Sequence, residues 1–126
     1  MDSVVHFHLP VGDMKRAKKF YSEIFGWPMI PTGMNQDYTL VHTAPTDEEG
    51  MLLEPGAING ALYVRDKPDE RPVIIINVSS IDEYLEKIES AGGKVSAPKT
   101  PVGDFGLYAE VKDSEDNIIG LFQDLK

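Results

Sequence analysis

The stretch Val4 to Trp27, VVHFHLPVGDMKRAKKFYSEIFGW, reads as a strand followed by a helix, and a second unit of the same pattern occurs 67 positions later. Val5, Phe7, Leu9 and Val11 alternate with His6, His8 and Pro10, the period of a strand with one apolar face. Asp13 is placed to cap a helix in which Met14, Ala17, Tyr21, Ile24 and Phe25 recur at helical spacing, and Gly26 is placed to end it. Adding 67 carries Val11 onto Val78, Met14 onto Ile81, Ala17 onto Tyr84, Tyr21 onto Ile88 and Gly26 onto Gly93. Agreement in apolar character or glycine at a single offset is the mark of an internal duplication, which limits the chain to folds built from two like modules.

The rest of each half follows from turn residues and short apolar runs. Trp27 to Ile30 and Tyr38 to His42 are predicted strands, separated by the turn formers Pro31, Thr32, Gly33 and Asn35. Pro45 to Gly56 is predicted to be a surface loop and Ala61 to Arg65 a fourth strand. The charged, proline-bracketed KPDERP, residues 67–72, suits a linker. Val73 to Val78 is then a strand, Ser79-Ser80 starts a helix, and Ile81, Tyr84, Leu85, Ile88 and Ala91 form its apolar face before Gly92-Gly93. Lys94 to Ala97 is a predicted strand, followed by a Pro/Gly loop through Gly103. Phe105 to Lys112 and Asn117 to Gln123 are predicted strands joined by the turn DSEDN. The expected organisation is one domain over 1–126, with module 1 at about 1–66, a linker at about 67–72 and module 2 at about 73–126.

Charge and composition exclude several function classes. A net charge of -9 repels a phosphate backbone, and no cluster of Lys and Arg with interleaved aromatics offsets it, so nucleic acid is not an expected partner. The basic run Lys15, Arg16, Lys18 and Lys19 reads as a solvated helix face. No run approaches the roughly 18 apolar residues of a spanning helix and no signal segment is visible, so no membrane partner and a cytoplasmic location are expected. The absence of cysteine removes thiolate metal sites and thiol nucleophiles. The serines lie in no nucleophile-elbow pattern and the glycines in no phosphate-cradling loop.

Three fragments in order carry a resemblance over nearly the whole chain: HFHLPVGDMKRAKKFYSEIFGW, VSSIDEYLEKIESAGGKV and DSEDNIIGLFQ. Together they resemble the vicinal oxygen chelate superfamily, which contains glyoxalase I, extradiol dioxygenases, fosfomycin-resistance transferases and bleomycin-resistance proteins. The resemblance implies an α+β fold of two βαβββ modules, a curled mixed sheet around a cup with the helices outside. It also implies a divalent metal held by one residue on the first strand of each module and a carboxylate on the last strand, and commonly a homodimer.

Carried over residue by residue, the first ligand falls on His6, seven positions before Asp13. The second falls on Val73 and the carboxylate on Gly120, neither of which has a donor. Metal sites of this kind draw roughly three or more imidazole or carboxylate donors from the protein, so the expectation is no metal. His6 and His8 become pocket residues in an apolar cup with Tyr38, Val73, Ile75, Gly120 and Phe122. Tyr63 and Tyr108 are further sources of ring surface and hydroxyl groups. The expected function is binding of a small organic molecule, in the manner of bleomycin-resistance proteins. The alternative is a lyase, isomerase or dioxygenase of the glyoxalase type, using a displaced metal near His6 and His8 with His42 or Glu110 as further donors. A metal-free variant with His6 or His8 as general base is also open.

Overall fold

A computed structural model describes residues 1–33 and 37–125; the predicted turn former Asn35 lies outside the described residues. By compactness the chain divides into an N-terminal unit, His6–Pro72, and a C-terminal unit that runs from Val73 onward and includes Met1–Val5. The first residues join the C-terminal unit through Ser3, whose carbonyl accepts from the Asn77 N–H at 3.0 Å. Asp2 adds a second tie by accepting from the Tyr84 hydroxyl at 2.6 Å.

The N-terminal unit contains β1 (Val4–Val11) from His6 onward, α1 (Met14–Phe25), β2 (Met29–Pro31), β3 (Tyr38–Val41) and β4 (Asn59–Val64). Asp13 caps α1 as predicted, its Oδ1 accepting from the Arg16 N–H at 3.0 Å. Gly26 ends the helix at φ 71°, a left-handed conformation that disfavours any residue with a Cβ. The strands lie in the order β2-β3-β4-β1, with β1 and β4 parallel and the other pairs antiparallel. One sheet face packs under α1: Val11, Val41 and Leu62 are buried, with Phe7, Leu9, Met14, Ala17, Tyr21, Trp27 and Met29 against them. Removing one such aliphatic side chain from water contributes about 1.5–3 kcal/mol. Because strand side chains alternate, His6, His8 and Pro10 take the opposite face. Trp27, predicted to open β2, instead precedes it, its ring stacked on Tyr21 at 5.1 Å between centroids.

The C-terminal unit repeats the plan with β5 (Val73–Asn77), α2 (Ile81–Ser90), β6 (Lys94–Val102), β7 (Gly106–Lys112) and β8 (Ile118–Asp124). Ser80 caps α2, its hydroxyl oxygen accepting from the Glu83 N–H at 3.3 Å. The strand order β5-β8-β7-β6 matches that of the first unit, with β5 and β8 parallel. Val78, Ile81, Ala109, Val111 and Leu121 form the core under α2. The predicted loop after Ala97 is corrected: β6 continues to Val102, with Pro98 in the register shift between Ala97 and Thr100 and Pro101 paired in regular register on this edge strand. The fold class is α+β, two βαβββ modules with mixed strand pairing, as the repeat predicts. Among the described residues no helix is long and apolar enough to cross a membrane.

Candidate functional site

In the N-terminal unit the strand face turned away from α1 gathers the polar residues. His6 and His8 sit on β1 with ring centroids 5.2 Å apart, and His8 is ringed edge-on by Tyr38 at 5.5 Å and Tyr63 at 5.6 Å. The register explains this. His8 lies beside Ala61 and Pro10 beside Tyr63 across the parallel pair, while Tyr63 lies opposite Tyr38 across the antiparallel one. The small Ala61 leaves space beside His8, and the Tyr38 hydroxyl reaches His8 Nε2 at 3.1 Å.

Burial sets the charge state of this group. Desolvation lowers His6 to about 4, and desolvation together with the neighbouring His6 lowers His8 to about 3. Both imidazoles are therefore neutral at pH 7, each with one donor and one acceptor nitrogen. Burial raises the Tyr38 hydroxyl to about 12, so it stays protonated. The arrangement suits hydrogen bonding to an uncharged polar group on an otherwise apolar molecule.

In the C-terminal unit Val73, Ile75 and Asn77 share one face of β5, and Gly120 and Phe122 share one face of β8. Ile75 lies beside Gly120 and Asn77 beside Phe122. Val73 and Ile75 are buried. Across the antiparallel pair Glu110 stands opposite Gly120, and Tyr108 stands opposite Phe122. The Tyr108 hydroxyl donates to Glu110 Oε2 at 2.6 Å. The structure thus brings His6, His8 and Tyr38 together in one unit, and Val73, Ile75, Gly120 and Phe122 together in the other.

His6 retains an imidazole, whereas Val73 and Gly120 offer no donor. A Cβ placed on Gly120 would stand 2.8 Å from Ile75 Cγ1, 2.8 Å from the Tyr108 Oη and 2.9 Å from Tyr108 Cε1, so side-chain atoms already occupy the place where a ligand residue would begin. The place in the N-terminal unit that corresponds to Gly120 is Ala61, which lies beside His8 as Gly120 lies beside Ile75. It has no donor either. Among the described residues no three His, Asp or Glu side chains converge on a point that would hold an ion. His42 follows the end of β3, and Glu110 is engaged by Tyr108. The donor set does not fit a divalent metal.

The sequence alone did not reveal Ala61 or the Tyr108–Glu110 bond. Tyr108 and Glu110 are two apart on a strand, and that spacing is the signal that puts them on one face.

The family model for the Glyoxalase/Bleomycin resistance protein/Dioxygenase superfamily matches residues 3–121. A probable lactoylglutathione lyase of Vibrio parahaemolyticus is 32% identical over 124 residues, covering 95% of this chain and 89% of that protein. A putative glyoxylase, CFP32, of Mycobacterium tuberculosis is 27% identical over 122 residues, 91% of this chain and 43% of that protein. In fold the chain is similar to Streptomyces coelicolor methylmalonyl-CoA epimerase in complex with 2-nitronate-propionyl-CoA. The TM-score is 0.68 at 15% identity, with 98% of this chain and 97% of that one covered.

Proposed function

Because this chain belongs to the glyoxalase/bleomycin resistance protein/dioxygenase superfamily, we propose that it binds a small organic molecule on the strand faces turned away from its helices, without a divalent metal. His6, His8 and Tyr38 serve as polar contacts on one unit, and Val73, Ile75, Gly120 and Phe122 line the corresponding face of the other. The observation that carries this reading is the filled position at Gly120, where Ile75 and Tyr108 stand in place of a carboxylate.

The contacts suggest the ligand's character. Neutral imidazoles and a protonated phenol match a carbonyl or hydroxyl group better than a charged one, and the aromatic and aliphatic neighbours match an apolar body. His6, lowered to about 4, is a weak base at neutral pH. Binding without turnover is therefore the favoured reading over proton abstraction.

Several relatives are named lactoylglutathione lyase, which makes a metal-dependent lyase the reading to test against. The protein is purified in EDTA and screened by thermal shift with small aromatic and carbonyl compounds. It is then assayed in the thioester-forming direction, with glutathione and methylglyoxal, in the presence of added Zn²⁺ or Ni²⁺. Stabilisation by at least one compound in EDTA, with no metal-dependent turnover, is the expected result. Turnover that appears only with metal, or no stabilisation by any compound, overturns the reading.

A further inference from the structure

The two units are built to the same register, and it pairs Tyr38 with Tyr108. Tyr38 lies opposite Tyr63, which is beside Pro10, and Tyr108 lies opposite Phe122, which is beside Asn77. Pro10 and Asn77 are equivalent under the 67-residue repeat. Each unit therefore places a tyrosine at the same point of its sheet, but the hydroxyl partners differ. Tyr38 meets the neutral His8, whereas Tyr108 donates to the carboxylate of Glu110. By the same register Glu110 takes the place of Leu40: Leu40 stands opposite Ala61, and Glu110 opposite Gly120. The C-terminal unit thus carries a carboxylate where its counterpart is aliphatic.

That carboxylate sits partly buried on a face where its near neighbours include Ile75, Gly120, Phe122 and the Tyr108 ring. Among the described residues its bonding partner is the Tyr108 hydroxyl, and no cation lies within ion-pair distance of it. Lys112, two residues further on the same face, is exposed. The same face has an unmatched acceptor, Asn77 Oδ1, buried with no donor among the described residues. Removing charge from water without a compensating partner is costly, so a half-buried carboxylate on an apolar face attracts a donor or a positive charge.

We propose that Glu110 is a recognition carboxylate for an organic cation, specifically an ammonium group attached to an apolar or aromatic body. The Tyr108 hydroxyl fixes one carboxylate oxygen and leaves the other to accept from the ligand N–H. The rings of Tyr108 and Phe122, which are cross-strand partners, supply surfaces on which a cation and its apolar body are both favoured. The net charge of -9 raises the local concentration of cations and disfavours anions. This inference rests on the C-terminal unit alone, and stands or falls apart from the histidine contacts proposed above.

The test uses the full chain, with benzylammonium as probe and benzyl alcohol and benzoate as controls, each titrated by two-dimensional NMR. Benzylammonium is expected to shift the Glu110 and Gly120 amides, with benzyl alcohol weaker and benzoate without effect at these positions. Glu110→Gln is expected to weaken benzylammonium about tenfold or more, the size of a lost charge-assisted hydrogen bond. Should Glu110→Gln fail to fold, the ordering of the three probes on the unsubstituted chain decides the matter. No amide shift with benzylammonium up to roughly 10 mM, a millimolar ceiling on affinity, overturns the proposal. Benzoate binding as well as benzylammonium, or Glu110→Gln binding unchanged, overturns it too. The His6 and His8 signals, followed in the same spectra, report separately on the N-terminal unit.

Discussion

The Tyr108 hydroxyl stands 2.8 Å from the point where a Cβ on Gly120 would lie, and from there it donates to Glu110. Glycine at 120 is thus required by the packing of a neighbouring tyrosine, and the tyrosine in turn is held by a carboxylate on its own strand. The place that the family pattern gives to a metal ligand has become a packing contact.

Gly120→Glu is the substitution that supplies the missing carboxylate to the sequence pattern. We expect it to destabilise the fold by about 1–3 kcal/mol, because Ile75 Cγ1 and the Tyr108 ring must give way. Urea denaturation measures the loss, and dialysis against Zn²⁺ is expected to show no metal gained. A variant as stable as the parent would contradict the packing account.

The lowered histidines give stability a definite pH dependence. Unfolded, each imidazole takes up its proton near 6.5; folded, His6 does so only near 4 and His8 near 3. Between those values the unfolded chain binds more protons, so stability is complete above about pH 6.5 and falls as pH drops toward 4 and then 3. The two sites together weaken the fold by up to a few kcal/mol, discounted for their partial exposure. Imidazole proton titration by NMR is expected to show both midpoints well below 6.5. Midpoints at the ordinary value would remove this effect.

Tyr38→Phe deletes the hydroxyl that meets His8 Nε2 at 3.1 Å. The expected cost is about 1 kcal/mol, measured by denaturation, with the secondary structure unchanged. In the parent, ultraviolet titration is expected to show a late component near pH 12 from Tyr38, beside the upward shift that the Asp2 hydrogen bond gives Tyr84. Loss of that late component in Tyr38→Phe assigns it.

Asp13→Ala and Ser80→Ala remove the side-chain acceptors that meet the Arg16 and Glu83 N–H groups at the starts of α1 and α2. Each is expected to cost about 1 kcal/mol, read as a lower thermal midpoint. A pair of neutral substitutions would mean that the caps add nothing beyond solvent.

The repeat made the architecture legible because apolar alternation and helical spacing are local properties, written in Val5 to Val11 and in Met14 to Phe25. The continuation of β6 was not legible. Pro98 and Pro101 read as breakers, but Pro98 falls in a register shift and Pro101 on an edge strand, two places that admit a residue lacking an N–H. The single offset of 67 also fails for the closing strands: Ala61, not a residue 67 positions before Gly120, is its counterpart. The reason is the longer connection in the first half, residues 42–58 between β3 and β4, against 113–117 between β7 and β8. Of the site, period-2 alternation correctly put His6 and His8 on one face. Which hydroxyl meets which partner depends on cross-strand register, and so Tyr38 with His8 and Tyr108 with Glu110 emerged only from the folded chain.

On the proposed function, the histidine-bearing face binds a small organic molecule without metal. The most direct measurement is NMR of the His6 and His8 imidazoles during titration with aromatic carbonyl compounds, first in EDTA and then after dialysis into Zn²⁺ or Ni²⁺. The account predicts perturbation of both imidazoles in EDTA and no further change with metal. Perturbation only after uptake of about one equivalent of metal per chain would contradict it.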